Sequence, residues 1–418
     1  MSETAIAGVD AWEVLDSRGN PTVAASVRLV GGAVGKTAVP SGASTGRHEA
    51  PELRDGDVRY GGKGVLQAVR HVRTDLADAV RGLDAADQPA VDTALKAADI
   101  ALVGANAVLA VSVATALAAA AAYGRELYEW VSGESVLPLP MVNILSGGAH
   151  AGRCLDIQDV LVIPLRATTF AEAIEQVAAV RRQATELAVH KRLSAGQVAD
   201  EGGLGLPLES NEAALEFVTT AIERAGFAAG TDLALAIDVA ASQFYRADQY
   251  RLEIEGRVFD RAGWLDEIER WVGNHPVISL EDACAEDDWE SWQELTTRVG
   301  GRLQLLGDDF FVTNSTRLQR GIDEHAANAI LVKPNQIGTL SDAAEVVRIA
   351  RDNGFATVVS ARSGETEDSW IADLATGWGA GQLKVGSTTR SERTAKWNRL
   401  LEIEHTTKLP YIGAAALS

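Results

Sequence analysis

The sequence predicts an α/β fold in which a β/α barrel follows a small N-terminal α+β domain. Three observations carry this expectation. The chain has 418 residues, more than one ordinary compact core takes, so a small domain plus a barrel is the simplest division. From about residue 138, short apolar runs alternate with amphipathic helical stretches, the rhythm of a parallel sheet wrapped by helices. Run after run also ends in an ionisable residue, and barrel chemistry sits at the C-terminal ends of the strands.

The elements follow in order. PTVAASVRL (21–29) alternates as a half-buried strand. Two Gly-rich loops come next, PSGASTGRHE (40–49) and DGDVRYGGKGV (55–65), and helical patterns occupy 64–82 and 106–123. These segments form an N-terminal domain over 1–135. The stretch 106–124 is uncharged and as a helix about a membrane thickness long. It is mostly alanine and lacks basic flanks, so it reads as a buried helix. The barrel takes 136–418. Its strand runs are PMVNIL, DVLVIP, LALAIDVA, VISLED, LQLLGDD, AILVKPNQ, ATVVSARS and GQLKVGS. Each is near-continuously apolar, as a parallel strand buried on both faces should be. Helical stretches such as TFAEAIEQVAAVRRQATELAVHK and LSDAAEVVRIARDNG separate them. SQFYRADQYRLE breaks the rhythm and reads as a local strand excursion.

Composition narrows the partners. A net charge of -20 argues against nucleic acid and anionic membranes. A small anionic substrate then needs local positive charge. The two cysteines make neither a disulfide framework nor a zinc site. The N-terminus has no signal-peptide pattern, and the expectation is a cytoplasmic protein.

The strand ends carry Gln158, Asp159, Asp200, Glu201, Asp238, Glu281, Asp308, Lys333, Arg362, Ser363 and Lys384. So many charges around one mouth would repel unless something sits among them. Asp238, Glu281 and Asp308 come from successive strands. Carboxylates without thiols or paired histidines are hard oxygen donors, suited to Mg²⁺. A lysine beside a divalent cation and a second lysine has its ammonium form disfavoured, so Lys333 or Lys384 can serve as a base. His150, Asp159 and Glu201 supply acids or hydrogen-bond donors. The layout suits removal of a proton next to a carboxylate. The enolate becomes reachable when metal ions neutralise its growing charge, and a β-leaving group can then depart.

The motifs DSRGNPTV (16–23), PSGASTG (40–46), GANA (104–107), DEGG (200–203), SLEDACAEDDW (279–289), GDDFFVTN (307–314), KPNQIGT (333–339), RSGETED (362–368) and RSERTAKWN (390–398) closely resemble those of the enolase family. The resemblance runs in order over nearly the whole chain. It implies an enolase-type barrel with an N-terminal capping domain, two Mg²⁺ ions and a homodimer or higher homo-oligomer. It also implies roles. Asp238, Glu281 and Asp308 match ligands of the tighter ion, and Ser44 matches a ligand of the second, substrate-bridging ion. Lys333 matches the base at C2 and Glu201 the acid that assists loss of the C3 hydroxyl. Lys384 matches the partner of the substrate carboxylate, and Arg362 and Ser363 match the phosphate contacts. His150 matches a histidine that closes over the substrate, and Gln158 a glutamine of the same rim.

Departures from the family pattern are specific. Ala361 stands where Ser-His-Arg-Ser-Gly-Glu has its histidine. Asp159 replaces a glutamate, a side chain shorter by one carbon–carbon bond, roughly 1.5 Å. Trp12 replaces an arginine of the subunit interface. By family analogy, positions 361 and 159 surround the leaving group, whereas the metal, base and phosphate positions are intact. Three readings stand. One is a relative of altered specificity, with an opened pocket, similar to the carboxyphosphonoenolpyruvate synthases of phosphonate antibiotic biosynthesis. The second is a glycolytic enolase converting 2-phosphoglycerate to phosphoenolpyruvate. The third is a non-catalytic structural or binding protein.

Overall fold

The computed structural model describes residues 2–42 and 46–417. It begins with an antiparallel sheet ordered β1 (Ile6–Leu15), β2 (Pro21–Leu29) and β3 (Val34–Ala38). The first helical pattern becomes Leu66–Val80, with one π-helical turn at Val72–Leu76. The second becomes α1 (Ala105–Ala122), which packs against the sheet. A Cβ added to Gly35 of β3 would sit 2.0 Å from the Ala114 carbonyl oxygen. Only small residues allow that approach, which accounts for the alanine content of α1. The helix is long and apolar enough to cross a membrane, yet 83% of it is buried within the fold.

The barrel strands are β4 (Leu139–Ser146), β5 (Asp159–Pro164), β6 (Leu233–Asp238), β7 (Val277–Glu281), β8 (Gln304–Gly307), β9 (Ala329–Val332), β10 (Ala356–Ser360) and β11 (Gln382–Gly386). Pairing of β11 with β4 closes the ring. The helices are α2 (Phe170–His190), α3 (Asn211–Arg224), α4 (Arg261–Asn274), α5 (Trp289–Val299), α6 (Ser315–Asp323), α7 (Leu340–Asp352), α8 (Trp370–Gly377) and α9 (Ser391–Thr406). Side chains of Thr169, Ser210, Asp260, Asp288, Asn314 and Thr339 accept first-turn N–H groups and fix where their helices start. The stretch 245–259 forms its own three-stranded sheet, the excursion expected from its pattern.

One strand departs from the expected parallel sheet. β5 runs antiparallel to both β4 and β6. Residues 147–158 hold one short 3₁₀ turn, Gly148–Ala151, and no crossover helix. A chain returning without a crossover pairs antiparallel. Asp159 therefore begins its strand rather than ending it. Inversion still brings it to the catalytic rim, because it is the register partner of Ser146 and of Asp238.

Period-two alternation layers the interior. Met141, Leu161, Ala236, Leu306 and Leu331 belong to one apolar cluster. Two residues further toward the rim, on the same strand faces, come Asn143, Asp159, Asp238, Asp308 and Lys333. The apolar layer is the floor on which the ionic rim is built.

Candidate active site

Asp238 and Glu281 are register partners on β6 and β7. Lys384 reaches both from β11. Its Nζ donates to Asp238 Oδ2 at 2.7 Å and to the two Glu281 oxygens at 2.8 and 2.6 Å. Lys333, just beyond β9, donates to Asp308 Oδ2, and Gln336 Nε2 donates to Asp308 Oδ1 at 2.9 Å. The structure thus gathers the three sequence-predicted metal ligands and both lysines at one buried rim.

Burial alone would lower both lysines. Asp308 nevertheless holds Lys333 above its ordinary value, and Asp238 and Glu281 hold Lys384 well above. The groups facing each lysine are carboxylates. Burial also pushes Glu281 well above the carboxylate range, and Asp238 adds to it.

Two sets of ligand atoms lie within 4.8 Å of one another, those of His150, Asp159 and Glu201 and those of Asp282, Asp308 and Asp309. Burial and then Asp309 push Asp282 well up. Burial and then Asp308 lift Asp309 to about 8. Such crowding of buried oxygen donors, with two of them driven toward protonation, fits a hard divalent cation. Of the sequence-predicted ligands, Asp308 falls in a candidate cation cluster whose other members are Asp282 and Asp309. The last two were not singled out from sequence, although each follows a predicted ligand in an acidic doublet, Glu281-Asp282 and Asp308-Asp309. Ser44 lies outside the described residues.

The other half of the rim centres on Asp159, which is fully buried. It accepts from Asn143 Nδ2, from Ser146 Oγ at 2.6 Å and from His150 Nδ1 at 2.9 Å. Burial would lower His150, but Asp159 and Glu201 outweigh it and lift the imidazole to about 9. Burial would raise Glu201, but His150, then Arg393 and Lys384, hold it below its ordinary value. Glu201 lies in the turn 199–203 rather than at a barrel strand end. Gln158 donates to Asp238 Oδ2 at 3.1 Å and accepts from Gln243.

Arg362 lies beyond β10 and is buried. Its Nη1 and Nη2 meet Glu49 Oε2 and Oε1 at 3.0 and 3.1 Å, and Nη1 also reaches Asn335 Oδ1 at 3.0 Å. Burial would lower Arg362, and Glu49 raises it. Glu49 was not anticipated, although it closes the Gly-rich segment 40–49. Ser363 is buried beside Arg362. Ala361 is 3% exposed and packs in the hydrophobic core. Its Cβ is a core group.

Comparison with known families agrees with this architecture over both parts of the chain. Residues 6–131 match the enolase N-terminal domain, and residues 134–417 match the enolase C-terminal TIM barrel domain. With the fold, the acidic rim and both matches in agreement, the chain belongs to the enolase family.

Proposed function

We propose that this protein is a Mg²⁺-dependent carbon–oxygen lyase of altered specificity. It forms an enolpyruvate phosphoryl or phosphonyl product from a 2-phosphoglycerate-like substrate. Carboxyphosphonoenolpyruvate synthesis is the specific reaction the departures suggest. Lys333 removes the C2 proton as a neutral amine, so its tie to Asp308 must loosen first. Lys384 pairs with the substrate carboxylate. Arg362 and Ser363 hold the phosphorus oxyanion, which must share or displace Glu49. Glu201 handles the departing C3 oxygen, and the neighbouring His150 imidazolium keeps a proton at hand. Gln158 orients the rim through Asp238. Mg²⁺ held by Asp238, Glu281 and Asp308, with a second ion toward Ser44, would neutralise charge developing on the substrate carboxylate and pair these acids.

The observation that carries this reading is an asymmetry of the rim. On one side two lysines meet three carboxylates, the machinery for enolate formation. On the other, Asp159 is taken up by Asn143, Ser146 and His150, and Ala361, which follows β10 between the strands that lead to the two lysines, offers no polar group. The test supplies Mg²⁺ and 2-phosphoglycerate in D₂O. C2 proton exchange outpacing phosphoenolpyruvate formation by about 100-fold, the scale of a misplaced catalytic group, supports the reading. Equal rates of exchange and elimination would identify an ordinary glycolytic enolase. No exchange with any glycerate ester would leave a non-catalytic role.

A further inference from the structure

Arg393, in the first turn of α9, is fully buried. A cation at a helix N-terminus opposes the helix dipole, and burying it costs further free energy unless its donors are satisfied. Its one ion pair among the described residues is long, 3.6 Å from Nε to Glu392. Its acceptors are backbone carbonyls from three separate segments. Nη1 donates to Arg362 O at 2.6 Å and to Val385 O at 3.0 Å. Nη2 donates to Ser363 O at 2.7 Å and to Asp200 O at 3.2 Å. One planar group thus ties together the anion-binding segment, the strand carrying Lys384 and the turn carrying Glu201.

Neighbouring contacts brace the same segments separately. Ser387 N donates to Glu201 O at 2.8 Å. Thr389 Oγ1 and Arg181 Nη2 donate to Gly202 O at 2.8 and 3.3 Å. Lys396, one turn along α9 and also fully buried, meets Thr366 O at 2.6 Å and Glu365 Oε2 at 2.9 Å. None of these reaches both the Glu201 turn and the 362–363 segment. Arg393 does.

We infer that Arg393 is a positioning residue that sets Glu201 and the Arg362–Ser363 segment at a fixed separation, so that substrate bound at one is in register with the other. The inference rests on the proposed function for what these groups bind. A lysine keeps the charge but lacks the fork that spans four carbonyls.

The experiment compares wild type, Arg393→Lys, Arg393→Met and Lys396→Met, each with Mg²⁺. Amide hydrogen exchange is followed by mass spectrometry, and C2 proton exchange and elimination of 2-phosphoglycerate are measured across pH. Arg393→Lys should speed amide exchange at 199–203 and 361–366 together while the rest of the barrel keeps its protection. Lys396→Met should loosen 361–366 alone. In the kinetics, Arg393→Lys should lower kcat for elimination by about 100-fold. It should change KM less than tenfold and move the pH profile of elimination more than that of C2 exchange. Several results would overturn the inference. They are unchanged kinetics in a folded Arg393→Lys protein, loosening of only one of the two segments, uniform loosening of the barrel, or loss of folding in both Arg393 variants. Failure of the wild type to exchange the C2 proton would overturn the functional reading instead. The inference would then be decided by the amide exchange pattern alone.

Discussion

The Lys384 ammonium lies 2.6 Å from one oxygen of Glu281 and 2.8 Å from the other. Both residues are buried, and Asp238 shares the same ammonium at 2.7 Å. Removing Lys384 should leave this acidic rim uncompensated. Lys384→Met is expected to destabilise the protein by about 3–5 kcal/mol, the usual cost of breaking a buried pair from one side. Millimolar Mg²⁺ should restore part of that loss in urea unfolding. If Mg²⁺ restores nothing, these carboxylates are not the cation site.

Lys333 lies against Asp308 on the same rim. As the C2 base it should be indispensable, and Lys333→Ala should slow C2 exchange by at least about 100-fold, the low end of general-base contributions. The check is NMR of 2-phosphoglycerate incubated with enzyme and Mg²⁺ in D₂O. Exchange at the wild-type rate would assign the base elsewhere.

His150 gives the stability a pH dependence with a definite sign. Its imidazole rises from 6.5 to about 9 in the folded protein. A raised pKa contributes stability fully below 6.5 and loses it as pH climbs through 9. The unfolding free energy from urea titrations should therefore fall between pH 6.5 and 9.5, by up to about 3 kcal/mol. His150→Gln should flatten that fall, and an unchanged slope in the variant would place the titrating group elsewhere.

Ala361 packs in the core, so Ala361→His overfills a small site. A loss of about 1–3 kcal/mol in thermal or urea unfolding is expected. If the missing histidine limits departure of the C3 oxygen, the same variant should raise elimination relative to C2 exchange. A ratio left at the wild-type value counts against position 361 as the source of the altered specificity.

Glu49 occupies both outer nitrogens of Arg362. Neutralising it should remove a competing anion from the guanidinium. Glu49→Gln is expected to bind inorganic phosphate about tenfold more tightly, equivalent to about 1.4 kcal/mol, by titration calorimetry. Equal or weaker binding would argue that Arg362 is not the anion site.

Much of this molecule was legible before any coordinates. Short apolar runs ending in Asp238, Glu281, Asp308, Lys333 and Lys384 reported the barrel and its ionic rim together. A period of two fixes which residues face inward once one position on each strand is buried. The alanine-rich run 106–124 likewise announced a helix in close contact with its neighbours.

Sequence alone did not reveal what depends on chain direction and long-range meeting. Asp159 looked like a strand end, but the helix-free segment before it turned β5 antiparallel and made it a strand start. The tertiary structure set Lys333 and Lys384 against buried carboxylates, contacts that no local pattern announced. Glu49 met Arg362 across 313 positions, and Arg393 joined carbonyls as far away as Asp200. Local pattern determines which residues face the barrel axis, because backbone geometry repeats. Only the closed fold decides which charges become neighbours, because Coulombic and hydrogen-bond partners are set by distance in space and burial rather than by separation along the chain.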